Sequence, residues 1–418
     1  MGHVQDRWFT SVPDPDQPSK RKRVPTARHG VGKRYKARIT GPDGNEVSES
    51  FADGQYKAAK QWVADREVKL ALGTYVDTKA GRVRLETFGT RWIADLDVDE
   101  LSRENLERRF RRRIFPALGR MELGAVKPST IRAWDAELRR EGLSDRYRHT
   151  LFGNLSALFT AAVDDGLIVK NPLGGKSVKK PKPVKKKIVP WPEERVWAVQ
   201  AALVERFRVL VDLGAGLGLR QGECFALAVD DVDFEKGTVR VCRQVKTVRS
   251  RPVFALPKYD KVREVPLSAP VTRALRVHMA RFPPVKITLP WNVPSGTPTT
   301  AVLIVTSVRG LAIAANDFNR NYWKKALEAA GVPHDRYENG MHDLRHFFAS
   351  LLLDQGESIK AVAEWLGHTD PSFTLSTYTH LMPSSDERTK SVIDGVYARR
   401  PGSGADGPAT ARDTSESE

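Results

Sequence analysis

Twelve consecutive positions, Lys176 to Lys187, hold seven lysines, two prolines and almost nothing apolar before Ile188. Like charges interrupted by proline resist packing into a core, so this stretch reads as an extended, self-repelling linker. It divides the chain into parts that must each bury their own apolar surface, and 418 residues suffice for two or three such parts. The boundary is placed at residues 173–187. Its lysines, Lys179, Lys180, Lys185 and Lys186 among them, could equally lie along a phosphate backbone.

Upstream, residues 83–172 show helical spacing throughout. Phe88, Trp92 and Ile93 begin it, and Leu101 to Phe115 contains Arg108-Arg109-Phe110-Arg111-Arg112-Arg113. A helix opens at Ser129-Thr130-Ile131 after Pro128 and runs to about Arg140; another spans Arg146 to Val163. Arg108, Arg109, Arg111 and Arg112 could grip a duplex, although such a run also fits a plain solvated helix face. Further upstream, Arg34 to Ile39 alternates like a strand, Gly41-Pro42-Asp43-Gly44 is a turn, and Glu46 to Phe51 could return. With a helix over Gln55 to Leu72, residues 31–80 form a small sheet-plus-helix module. Residues 1–30 read as a disordered lead-in.

Downstream, residues 188–396 form one mainly helical domain. One helical stretch covers Glu193 to Leu219, followed by strands at Thr238–Val245, Arg251–Leu256 and Glu264–Leu267, then a helix over Pro270–Phe282. Residues 283–300 read as a Pro/Thr-rich loop, the remainder as mostly helical, and 397–418 as a disordered tail. The fold class is mainly α with small antiparallel sheets, α+β, in several domains.

Composition narrows the partner. The 68 Lys and Arg against 51 Asp and Glu leave a formal charge of +17, which favours a polyanion such as double-stranded DNA. Two cysteines, Cys224 and Cys242, support neither a disulfide framework nor a Cys-based zinc site. No run approaches the roughly 18–20 apolar residues of a membrane helix, and Met1 to Thr10 has no signal-peptide core. A bacterial cytoplasm, with no membrane partner, is the expected setting.

Four clusters in the C-terminal half could carry chemistry: Leu217-Gly218-Leu219-Arg220-Gln221-Gly222-Glu223; Pro257-Lys258-Tyr259-Asp260-Lys261-Val262-Arg263; His342-Asp343-Leu344-Arg345-His346; and Leu366-Gly367-His368, followed by Tyr378 in Ser376-Thr377-Tyr378-Thr379-His380. Alone, each has an ordinary explanation. A Gly-Leu-Arg is a usual helix end, and a tyrosine is core or surface far more often than nucleophile.

In this order and spacing, the clusters resemble the tyrosine recombinase, or phage integrase, family. Its catalytic domain carries an Arg, a Lys on a β-turn, His-x-x-Arg, a His or Trp, and a Tyr. Arg220, Lys258, His342, Arg345, His368 and Tyr378 match all six. The likeness covers roughly residues 188–396. Residues 83–172 resemble the family's core-binding domain, and 31–80 more loosely an arm-type DNA-binding module, together a multi-domain DNA clamp.

The resemblance implies that Tyr378 attacks a DNA phosphodiester, forming a 3′-phosphotyrosine that a second strand's 5′-hydroxyl reopens. Such a reaction concentrates negative charge on phosphate oxygens, and planar, permanently charged guanidiniums meet it, here Arg220 and Arg345. His342 is expected to exchange the Tyr378 proton. Lys258 is expected to protonate the leaving oxygen, with Lys261 as the alternative, and His368 to hydrogen-bond the phosphate. Glu223 is expected to brace an arginine or histidine from behind. His346 and His380 are read as supporting, Asp343 as a helix-start residue, Tyr259 as packing or stacking, and Tyr322, Tyr337 and Tyr397 as structural.

Neither metal nor other cofactor is expected. A monomer in solution is expected to become a tetramer on DNA, passing a helix at 384–396 between protomers. A directionality factor or a host DNA-bending protein could assist. The competing expectations are a type IB topoisomerase-like relaxing enzyme and a DNA-binding protein without catalysis.

Overall fold

The computed structural model describes residues 2–14, 20–41, 44–72, 75, 80–184, 188–334, 338–378 and 386–398. The chain forms two units, Met1–Lys185 and Lys186–Glu418.

The first unit begins with strands β1 (His3–Asp6), β2 (Phe9–Pro13), β3 (Arg21–Pro25), β4 (Tyr35–Thr40) and β5 (Glu46–Phe51), then helix α1 (Tyr56–Ala71). Alternation in β4 turns Tyr35, Ala37 and Ile39 onto Ala59 and Val63 of α1. The lead-in expected to be disordered therefore contains three strands. β1 pairs antiparallel with β4, and β2 with β3. Polar contacts order it more than apolar burial does. Asp6 binds both Arg23 and Arg34, and the Arg23 and Arg34 guanidiniums lie 4.3 and 5.0 Å from the Phe9 ring.

Helices α2 (Leu85–Asp95), α3 (Glu100–Arg109), α4 (Phe115–Leu118), α5 (Pro128–Arg140) and α6 (Asp145–Asp164) follow. Side chains of Asp99 and Ser144 cap α3 and α6 by accepting from Ser102 and Tyr147 backbone N–H groups. α3 itself buries nothing. A single π turn, Phe110–Ile114, joins it to α4 and sinks both Phe110 and Ile114 into a core with Leu85, Ile131 and Phe159.

The linker expectation needs correcting over its first half. Val178 packs against the helical core and Pro181 is buried. Arg132 donates to the Ser177 hydroxyl at 2.8 Å, and His149 Nδ1 lies 2.7 Å from the Pro181 carbonyl. Lys179 and Lys180 are exposed, while Ser177 and Val178 before them and Pro181 after them find partners. Lys185, Lys186 and Lys187 lie outside the described residues.

The second unit opens with α7 (Glu193–Ala202) and α8 (Glu205–Leu217). The single expected helix is broken because Leu203 and Val204 are extended, and Arg208 closes the first helix by donating to the Leu203 and Ala201 carbonyls. A short α9 (Gln221–Cys224) precedes β6 (Val232–Asp233), β7 (Thr238–Val241), β8 (Gln244–Val248), β9 (Arg251–Ala255) and β10 (Arg263–Pro266). The expected strand Thr238–Val245 is two strands in different sheets. The chain leaves the β10-β7-β6 sheet at Cys242 and Arg243, both bound to Asp231, and enters the β8–β9 hairpin.

After α10 (Ala269–Arg281) comes a hairpin, β11 (Val285–Pro290) and β12 (Pro298–Leu303), where a loop was expected. Its prolines misled: Pro290 and Pro298 face each other at the loop end of the hairpin, where no ladder bond is lost. The chain continues through α11 (Ala315–Phe318), a π turn at Asn319–Trp323, α12 (Lys324–Ala329), α13 (His342–Asp354), α14 (Ile359–Leu366), α15 (Pro371–Tyr378) and α16 (Asp386–Tyr397). α8 lies at the centre, its Leu210, Leu213 and Leu217 fully buried, packed on α10 and α13. Of the tail expected to be disordered, only Tyr397 and Ala398 are among the described residues. No helix among those residues is long and apolar enough to cross a membrane.

Candidate active site

Two glycine-ended helices aim two of the site residues. α8 stops at Gly218 (φ 64°) and α14 at Gly367 (φ 65°), both left-handed, and the chain turns directly into Leu219-Arg220 and into His368. At Gly218 a Cβ would also fall 2.5 Å from Phe348 Cδ1. Gly218→Ala combines left-handed strain with overpacking. It should cost about 2–4 kcal/mol, read as a lowered melting temperature, and should displace Arg220.

Arg220, Glu223 and Arg263 form one network. The Arg220 backbone N–H donates to Glu223 Oε2 at 2.8 Å, and its guanidinium to Oε1 at 3.0 Å. Arg263 forks onto the same carboxylate at 3.0 and 2.7 Å and gives Nε to the Trp365 carbonyl at 2.6 Å. Burial, the largest influence, pushes the Glu223 carboxyl up. The hydrogen bond and charge of Arg263, with Arg220, outweigh it and hold the pKa at about 2. Glu223 thus lies between Arg220 and Arg263 and bonds to both. Arg263 was missed, although it stands two residues before buried Val265 on β10 and so faces inward.

α13 places His342, Arg345 and His346 on one face, three and four residues apart. Arg345 is 1% exposed. It donates to the carbonyls of Gly218 (2.8 Å) and Leu366, and to His368 Nε2 at 3.1 Å. Burial, then repulsion from Arg220, lowers its pKa to about 9 against a partial offset from Glu223, so it stays charged at neutral pH. Because an arginine can only donate, His368 accepts at Nε2; its Nδ1 then donates to Thr374 Oγ1 at 2.6 Å. Burial followed by Arg345, Arg220 and Arg263 takes the His368 pKa to about 3, leaving the ring neutral. With both nitrogens occupied, donation to a phosphate requires the Arg345 contact to open.

Tyr378 ends α15 and is 2% exposed. Its hydroxyl lies 2.6 Å from His346 Nδ1. His342 was expected to exchange the proton of this hydroxyl; in the structure it is His346, one helical turn further along α13, that reaches it. His342 instead packs edge-on against His346, with ring centroids 4.6 Å apart. Burial drives the phenol up to about 12, and Arg345 only partly offsets this. Burial and then Arg345 lower His346 to about 4. His342 keeps solvent contact, yet desolvation, followed by His346, Arg345, Arg220 and Lys258, lowers it to about 4 as well.

The two lysines separate clearly. Lys261 Nζ donates to the His368 carbonyl at 2.9 Å. Lys258 is exposed, its Nζ 4.9 Å over the Tyr259 ring, in a turn where Tyr259 and Asp260 both have positive φ. Tyr259, 63% exposed, stacks as expected. Tyr322 packs on Phe207 in the core, Tyr397 is 63% exposed, and Asp343 sits in the first turn of α13. His380 and Tyr337 lie outside the described residues.

The arginine run and the linker lysines are not part of this cluster. Arg108, Arg111, Arg112, Lys179 and Lys180 are exposed and Arg109 half-buried, all in the first unit, and Arg108 pairs with Glu104 at 2.9 Å. That unit also holds a shallow cavity of about 590 Å³ lined by Arg84, Arg91 and Arg120 with Thr87 and Thr90.

The phage integrase family matches residues 194–385. A "Tyrosine recombinase XerC-like" protein of Caldanaerobacter subterraneus subsp. tengcongensis is 29% identical over 296 residues, 66% of this chain and 73% of that protein. The "Integrase" of Mycobacterium phage FRAT1 is 27% identical over 81% of this chain and 95% of its own length. In fold, the chain is similar to the Tn1549 transposon integrase solved with transposon right end DNA. That likeness has a TM-score of 0.62 at 20% identity, over 75% of this chain and all of that one. The ordered six residues, the two-arginine centre around a buried tyrosine and these matches together make residues 194–385 a phage integrase family domain, in a chain similar over most of its length to tyrosine recombinases of site-specific DNA recombination.

Proposed function

We propose that Tyr378 is the nucleophile that cuts a DNA strand and that Arg220 and Arg345 hold the scissile phosphate. The observation that carries this is the convergence of two guanidiniums and a buried phenol at the start of α9, on α13 and on α15, Arg345 being a buried cation with no carboxylate in ion-pair contact among the described residues. A phosphodiester supplies an anion, and charge building on its non-bridging oxygens favours the bound transition state over the free site. His368 holds Arg345 until DNA arrives. His342, packed on His346 and open to water, offers the proton a way out.

Lys258 is the group that protonates the departing 5′-oxygen, since Lys261 is engaged by the His368 carbonyl. The bond energy stays in the 3′-phosphotyrosine, so a 5′-hydroxyl from another strand completes the exchange. Recombining two duplexes breaks four strands, and one nucleophile per chain calls for four protomers. Exposed Ile393, Val396 and Tyr397 on α16 are available to join them. Residues 83–172 serve as the core-site DNA grip, with Arg108, Arg109, Arg111 and Arg112 toward phosphates and Lys179 and Lys180 continuing it. The N-terminal sheet module serves as an arm-site reader. The substrate is the junction between a phage or other mobile element and its attachment site.

The test is a duplex carrying that junction, nicked so that cleavage is trapped, and scored on a denaturing gel. The wild-type protein should become linked to the 3′ end of the cut strand. Lys258→Ala should slow linkage by about 10²–10⁴-fold. A substrate whose leaving oxygen is replaced by sulfur should restore it, because a thiol of pKa about 8.5 departs without a proton. Lys261→Ala should lose far less. Plasmid relaxation without recombination would instead favour a topoisomerase-like enzyme.

A further inference from the structure

We propose that His346 both positions the Tyr378 hydroxyl and accepts its proton during strand cleavage, a role that rests on the reading of Tyr378 as nucleophile. The geometry is specific. A phenol 2% exposed must have its hydroxyl satisfied internally, and the partner is His346 Nδ1 at 2.6 Å, with ring centroids 5.7 Å apart. Both groups are neutral near pH 7, so the phenol donates and Nδ1 accepts, which leaves the ring proton on Nε2. The contact joins α13 to α15, so the same bond that orients the nucleophile also fixes the end of the helix that carries it.

In the step itself a Tyr378 oxygen–phosphorus bond forms as the phosphorus–O5′ bond breaks. The phenolic proton passes to His346 Nδ1, and Lys258 supplies a proton to O5′. His346, now an imidazolium, releases its extra proton to water past the neighbouring His342 ring. The groups facing this pair are Arg345, which with burial disfavours a charged His346, the His342 ring packed edge-on against His346, and Asp343, which disfavours the phenolate. Away from DNA the proton therefore stays on the tyrosine and the nucleophile is idle. A bound phosphate adds the negative charge that favours an imidazolium, and the phenol acidifies as its oxygen bonds phosphorus.

The experiment uses the full chain and the nicked junction duplex with oxygen or sulfur at the leaving position. His346→Ala should bind DNA within about twofold of wild type in a gel shift and form adduct about 10²–10³-fold more slowly. Unlike the lysine variant, it should not be rescued by sulfur, because the nucleophile's proton is still unclaimed. His346→Asn keeps an acceptor near the hydroxyl, with its fold checked by melting, but cannot take the proton. Its adduct rate should rise about tenfold per pH unit between about pH 6 and 8, where the wild-type rate is level. An undiminished rate in His346→Ala, rescue of that variant by sulfur, or a level pH profile for His346→Asn would overturn the proposal alone. No adduct from the wild-type protein would overturn the nucleophile reading and this one with it.

Discussion

Tyr378→Phe protein binds the junction duplex as the wild type does and forms no covalent adduct with it. The change keeps the ring in its buried place and removes one oxygen, so its cost is local. His346 Nδ1 loses its donor, a penalty of about 1–3 kcal/mol, which leaves a folded protein. The loss of chemistry, by contrast, is complete, since no bond to phosphorus can form without that oxygen. Of the other tyrosines described in the second unit, Tyr259 stacks on Lys258 at an exposed turn, Tyr322 is packed against Phe207 and Tyr397 is exposed on α16. The readout is a labelled strand that shifts on a denaturing gel only with wild-type protein. An adduct that survives the substitution would remove Tyr378 from the mechanism. Binding without an adduct from either protein would make this a DNA-binding protein that has lost its chemistry.

Glu223→Ala should be the most damaging change to stability. It strips the counter-charge from Arg263, whose side chain is 2% exposed, and the brace from Arg220. Breaking a buried ion pair on one side costs about 3–5 kcal/mol, which corresponds to a fall of about 10 °C in melting temperature for a unit of this size. Adduct formation should fall as well, because Arg220 loses the contact that fixes its guanidinium. The same network predicts acid sensitivity. The folded-state pKa of about 2 lies below the ordinary 4.5, so this carboxylate stabilises the fold fully above about pH 5. That contribution, about 3 kcal/mol from the 2.5-unit difference, is lost as pH falls from about 4.5 toward 2. Glu223→Gln keeps the shape but removes the titrating group, so its melting temperature should be lower at neutral pH and flatter across that acid range. An acid limb as steep as the wild type's would assign the sensitivity to other carboxylates.

Much of this molecule was written in short stretches of sequence. Period-two alternation located β4, and proline and capping residues located α5 and α6 to within a residue or two. The two Gly stops ahead of Arg220 and His368 are local as well, since a left-handed helix end is decided within one turn. The six residue types in their order carried the family resemblance that named the chemistry, and their kinds, fixed cations and a nucleophile, suit phosphoryl transfer. What the tertiary structure decided involves partners far apart in the chain. Arg263 meets Glu223 across 40 residues and the Trp365 carbonyl across 102. His346 rather than His342 meets Tyr378 across 32 residues, a difference of one helical turn that no spacing rule discriminates. The strands of the lead-in and the β11–β12 hairpin escaped for the same reason. Their residues are polar or proline-bounded, and only a strand or an arginine arriving from elsewhere in the chain gives their backbone and side-chain groups partners. Local backbone preferences reach about one turn of chain, whereas burial and charge pairing act through space. The kinds of groups present were therefore fixed by sequence, and which of them touch was fixed by the fold.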